Sequence, residues 1–149
     1  MPIVTFDTCI FIAYKPSSFP KGFRMTAIVL QELTAGAPDN DSVKALNISR
    51  RDHEKAGTLL VPTGEDWWMA GKVLNSMLRG QRSKNKGKTP RISFDEKQRI
   101  IRDVLIARVS KRANTTLITD NLKDFERIQN FCKVRIMSGK DHFDHNKRT

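Results

Sequence analysis

The sequence predicts an α/β fold with a central, mainly parallel sheet and helices on both faces. Three observations carry this. Short apolar runs (PIVTFD, TLLVP, TTLIT and CKVRIM) alternate with longer helical patterns, and that alternation implies parallel strands joined by crossover helices. The helical segments carry start and stop residues in the right order. The chain has 149 residues, enough for one core without disulfides or a structural metal.

Residues 2–7 are expected as a short buried strand, followed by a brief helix through Ile12. Pro16 and Pro20 bracket a loop. Thr26 can cap the next helix, AIVLQELTA, which Gly36 and Pro38 stop. Residues 39–56 form a polar helix, with Asp39 or Asn40 as cap and Gly57 as terminator. TLLVP (58–62) is a second strand, and Thr63 starts a helix that runs to Gly80. Residues 79–91 are expected as a loop. Ser93 and Glu96 make a capping box that opens a long helix to about Asn114. TTLIT (115–119) is a third strand, NLKDFERIQ a short helix, and CKVRIM (132–137) a fourth strand. One domain is expected over 1–137, with 138–149 as a polar, mobile tail.

The charge balance is strongly basic: 27 Lys and Arg against 16 Asp and Glu, a formal net charge of +11. That implies attraction to a polyanion or an acidic partner. Cys9 and Cys132 lie far apart in apolar surroundings, so buried reduced thiols are expected. No apolar run approaches the roughly 20 residues of a membrane span. The N-terminus lacks the basic start of a signal peptide. A soluble, cytoplasmic protein is expected, with no membrane partner.

Four acids sit where apolar residues or caps are the norm. Asp7 ends the first strand and Asp120 follows the third, the strand ends where α/β sheets bind ligands. Each can equally cap the helix after it. Asp103 lies inside IIRDVLIARV, flanked on its own face by Ile100, Ile106 and Ala107. A carboxylate there needs a cation opposite, either a metal ion or an arginine such as Arg102 or Arg108. Glu32 repeats the pattern in AIVLQELTA, where the edge of a buried face is the plain alternative. Together the four can converge on one point. Converging carboxylates resist joint ionisation unless a hard divalent cation neutralises them. Oxygen-only ligation favours Mg²⁺, or Mn²⁺ in its place, over Zn²⁺.

These residues fall into four motifs: VTFDTCIFI, VLQELTAG, Asp103-Val-Leu-Ile-Ala107 and LITDNLKDF. In this order, over Ile3 to about Ile136, the chain resembles a PIN-domain ribonuclease, most closely the VapC-type toxins of bacterial toxin–antitoxin pairs. The resemblance implies a PIN-like three-layer α/β/α fold and Mg²⁺-dependent hydrolysis of RNA phosphodiester bonds. It implies that Asp7 and Asp103 bind the metal directly, with Glu32 and a fourth acid completing the cage or holding metal-bound waters. Position 121 is Asn, so that fourth acid is Asp120 or Asp124. Thr8 and Thr119 would orient ligands or the scissile phosphate, or act as caps. An antitoxin protein and a homodimer are the partners it implies.

Residues 79–91 hold Arg79, Arg82, Lys84, Lys86, Lys88 and Arg91 with no acid and no aromatic. That composition suits tracking of RNA phosphates, or a solvated loop. Of Trp67 and Trp68, at least one is expected in the core and the other can serve an interface. His142 and His145 have the look of a metal tract, but near a chain end are more often incidental. Haloacid-dehalogenase-type phosphatases need an Asp where Cys9 stands. Phosphate-loop and nucleophile-elbow patterns are absent from the sequence, and a receiver domain's second acid before the first strand end is missing. The alternative from another class is a non-catalytic RNA-binding or protein-interaction module on the same fold.

Overall fold

The computed structural model of the chain describes residues 2–84, 86 and 92–147, without the side chains of 81–84 and 145–147. In chain order the elements are β1 (Val4–Phe6), α1 (Thr8–Ala13), β2 (Met25–Thr26), α2 (Ala27–Ala35), α3 (Asn40–Ala56), β3 (Leu59–Leu60), α4 (Gly64–Lys84), α5 (Phe94–Arg112), β4 (Thr116–Ile118), α6 (Leu122–Gln129), β5 (Arg135–Met137) and α7 (Gly139–Lys147). A 3₁₀ turn, Pro16–Ser18, fills the proline-bracketed loop.

β1, β4 and β5 form a parallel sheet in the order β1-β4-β5, with Phe6 opposite Ile118 and Ile118 opposite Met137. β2 and β3 pair in parallel. A bridge between Thr5 and Arg24 joins β2 to the free edge of β1. Strand residues alternate between faces, and the two faces carry separate cores. Val4, Phe6 and Ile118 pack with Ile10 and Phe143 on one side. Leu117 packs with Val29, Val104, Ile106 and Phe125 on the other. Helices therefore cover both faces of the sheet.

Local chemistry sets most helix ends. Thr26 caps α2 through the Val29 amide, Asp39 caps α3 through Ser42, and Ser93 caps α5 through Glu96. Gly57 ends α3 at φ +71°, a left-handed geometry that costs glycine little.

Three expectations need correction. α4 does not stop at Gly80 but continues to Lys84, because one exposed helical glycine costs only about 1 kcal/mol and nothing else there breaks the helix. The loop is thus shorter than 79–91. Lys86 is exposed at φ +55°, the Lys84 side chain is not described, and Lys88 lies outside the described residues. Second, the expected mobile tail forms α7. Its Phe143 is buried and stacks on Tyr14 at a ring separation of 4.2 Å. α7 begins at Gly139, where a Cβ would lie 2.9 Å from the Ile10 and Tyr14 side chains, so any larger residue would force those side chains to shift. Polar composition had hidden one aromatic anchor. Third, neither tryptophan is core: Trp67 is 56% and Trp68 64% exposed. The buried face of α4 runs through Asp66, Ala70 and Val73, and helical spacing turns both indoles away from it.

A candidate active site at the carboxyl ends of the strands

β1 delivers Asp7 to the sheet's carboxyl end. Its amide still bonds the Ile118 carbonyl at 2.9 Å, so its backbone is held by the sheet. The side chain is 4% exposed. Asp7 Oδ1 accepts the Thr8 amide at 2.8 Å, capping α1. Asp7 Oδ2 accepts the Thr119 hydroxyl at 2.8 Å, and the Cys9 thiol stands 3.7 Å from the same oxygen. The capping role expected of Asp7 is met by Oδ1, while Oδ2 is held by Thr119.

α5 brings Asp103 in from the side, between buried Ile100, Val104 and Ile106. No described cation forms an ion pair with it. Arg102 turns to Glu32 at 3.9 Å, and Arg108 to Asp66 at 2.8 Å. Burial pushes the Asp103 carboxyl up to about 8, and the negative charges of Asp7, Asp124 and Glu32 add to the rise. Burial also raises Glu32; Arg102 opposes this and Asp7 reinforces it. Asp7, Asp124 and Glu32 therefore each act on Asp103, and Asp7 acts on Glu32.

The two candidates for fourth acid separate in space. Asp124, in the first turn of α6, borders a crevice with Asp103, Arg99 and Arg127. Asp120 instead accepts the Gly139 amide at 2.9 Å, fixing the start of α7. Its charge is felt by Cys9 and Tyr14, and it does not figure among the influences on Asp103. Thr119 lies fully buried, and its hydroxyl accepts the Asn121 amide at 3.0 Å while donating to Asp7. Thr8 Oγ1 is buried with no partner at hydrogen-bonding distance, although it lies near enough to Glu32 to favour that carboxylate's charged form.

The donor set is all oxygen and suits a hard cation. Among the described residues, no three His, Cys, Asp or Glu side chains gather into one metal-binding group. A closed protein cage is not needed for Mg²⁺, which keeps several waters and is held by one or two carboxylates. His142 is buried in ring contact with Phe6 and Phe143, which gives it a packing role.

Sequence reasoning missed one network altogether. Asp66 is fully buried, and its carboxylate takes the Thr63 amide at 2.8 Å, Arg108 at 2.8 Å and Arg112 at 2.7 Å. Burial pushes this carboxyl up, but the Thr63 amide and both guanidiniums outweigh it and hold it below the usual range. Thr63-x-x-Asp66 is a capping signature, and that was the available signal. The network pins the start of α4 to α5 on the side away from Asp103.

No family model matches the chain, and no curated protein matches it by sequence. Its fold does match solved structures. One is VapBC-1 from nontypeable Haemophilus influenzae, at TM-score 0.52 and 21% identity, covering 91% of this chain and 97% of the other. Another is DNA-bound VapBC from Salmonella typhimurium, at TM-score 0.52 and 20% identity, covering 93% of this chain and 98% of the other. With the parallel sheet and its flanking helices, this likeness establishes a PIN-like α/β/α fold.

Proposed function

We propose that this protein is a Mg²⁺-dependent endoribonuclease and the toxin of a VapBC-type pair. One observation carries the reading: Asp103, a helix-interior acid raised to about 8 by burial and by Asp7, Asp124 and Glu32, with no described ion-pair partner. A protein keeps such repulsion where a cation is meant to enter. Asp7 and Asp103 would hold Mg²⁺, or Mn²⁺ in its place, with Glu32 and Asp124 around it. When bound, such an ion supplies a water of lowered pKa and positive charge for the oxyanions that develop at phosphorus. Thr119 holds Asp7 in one rotamer by donating to Oδ2. Arg102 neutralises Glu32 until the ion is present. The net charge of +11 draws RNA to the site. The fold's likeness to VapBC structures supports an antitoxin as protein partner, and the reading includes a cytoplasmic homodimer.

The test is cleavage of single-stranded RNA by the purified chain. Mg²⁺ should support it, EDTA should stop it, and Asp103→Asn should abolish it with the fold intact by circular dichroism. In a bacterial host, expression alone should arrest growth, and Asp7→Ala should relieve the arrest. RNA cleavage by Asp103→Asn at the wild-type rate would reject the site. Binding of RNA without cleavage under any divalent ion would favour the non-catalytic module instead.

A further inference from the structure

Beside the acids, α2, α5 and the first turn of α4 enclose an open cavity of about 360 Å³. Its wall includes Glu32, one of the candidate site acids. The volume falls in the range of about 300–1,000 Å³ for small-molecule sites. One wall is the Trp67 indole, which is 56% exposed. The others present Ile101 and three long polar side chains: Gln31, Gln98 and Arg102. An exposed indole has no folding role to explain it, since α4 turns its other face to the core.

Resting on the nuclease reading above, we infer that this cavity receives one unstacked base of the RNA, next to the phosphate to be cut. The chemistry of the lining matches the class. Unpaired bases are held by stacking on aromatic rings and guanidinium planes and by hydrogen bonds to their edges. Trp67 offers the ring, and Gln31 and Gln98 each carry both a donor and an acceptor. Arg102 lines the cavity beside Glu32, 3.9 Å from that carboxylate, where it can turn to a phosphate once Glu32 faces a cation. Trp68 lies outside this wall, with Lys72 over its ring, and serves as the internal control. The two amides make the cavity a place where base identity is read, beyond the sequence-blind attraction of the basic surface.

The chain has two tryptophans, so Trp68→Phe leaves Trp67 as the sole indole reporter. In an Asp103→Asn, Trp68→Phe background, hexaribonucleotides of a single base should quench Trp67, with different affinities for the four bases. In the otherwise wild-type chain, Trp67→Ala should raise KM by roughly tenfold or more, the range set by loss of one stacked base, with kcat less affected. Trp67→Phe should restore much of the loss, and Trp68→Ala should change neither constant. Trp67 fluorescence indifferent to all four oligonucleotides, or an unchanged KM in Trp67→Ala, would overturn the inference. So would quenching by an antitoxin peptide with RNA silent, since the cavity would then belong to a protein partner. If the Trp68→Phe chain binds RNA with Trp67 quenching but cuts nothing, and the wild type cuts nothing either, the nuclease reading fails and the base site stands.

Discussion

Thr119 Oγ1 donates to Asp7 Oδ2 at 2.8 Å, joining residues 112 positions apart. The same hydroxyl accepts the Asn121 amide at 3.0 Å, so its single proton is committed to Asp7. Two neighbouring strand ends are thereby locked together at the candidate metal position. Thr119→Val keeps the shape and removes the hydroxyl. It leaves the Asn121 amide unpaired, at a cost of about 1–3 kcal/mol. Cleavage is expected to fall about 10–100-fold, as for other supporting contacts of metal ligands, and Thr119→Ser is expected to retain most of it. Equal rates for wild type and Thr119→Val would remove Thr119 from the mechanism.

Asp103 makes metal-free stability depend on pH. Its folded value, about 8, lies above the ordinary 3.8. Between these values the folded chain holds a proton that the unfolded chain has lost. Stability must then fall as pH rises, by up to about 1.4 kcal/mol per pH unit from this group, and level off below and above the window. Glu32, also raised, acts in the same direction. Urea midpoints in EDTA should decline from pH 5 to pH 8 in the wild type and stay much flatter in Asp103→Asn. Parallel profiles for the two proteins would contradict this account of Asp103.

Mg²⁺ is expected to stabilise the folded chain, because the unfolded chain scatters these acids. The gain is about 2.7 kcal/mol at a hundredfold excess over Kd, on the order of 5–10 °C in Tm for this size. Asp7→Asn should lose most of the response. Since Asp103 must shed its proton to bind, the response should be larger at pH 8 than at pH 6. Thermal melts with Mg²⁺, Mn²⁺ and EDTA measure this, and a midpoint indifferent to all three would leave the metal site without physical support.

Asp66→Ala separates folding from function. The substitution strips Arg108, Arg112 and the Thr63 amide of their acceptor. Both arginines reach partly into solvent, so the expected cost is about 2–4 kcal/mol, below the upper range for a fully buried pair. Asp66 is depressed in the fold. Its contribution is therefore present above the unfolded value of 3.8 and lost as pH falls through the lower folded value. Denaturation at pH 7 and pH 2.5 should show a large difference between wild type and variant at the first and a small one at the second. Mg²⁺ stabilisation should survive in Asp66→Ala; its loss would tie this network to the site.

What was legible in the sequence is what neighbours in the chain decide. Thr26, Asp39, Ser93 and Gly57 end helices through bonds to residues three or four away, so their chemistry shows in a short window. Asp103 was legible too, since an acid on an apolar helix face conflicts with its own surroundings. The choice between Asp120 and Asp124 was not. Both follow the same strand, and only the packing of α6 and α7 turns one toward Asp103 and the other to Gly139.

By itself, the sequence determined the alternation of strands and helices, their capped boundaries, and the presence of acids that local structure does not want. Only the tertiary structure decided where the arginines go. Arg108 bonds an aspartate 42 positions away, and Arg102 takes Glu32, leaving Asp103 without a described ion-pair partner. It also decided that one phenylalanine in a polar tail, Phe143, anchors α7 against Tyr14. Hydrogen-bonded caps act over one turn of chain, whereas charge and burial act through space, and distances through space exist only once the sheet has brought its strand ends together.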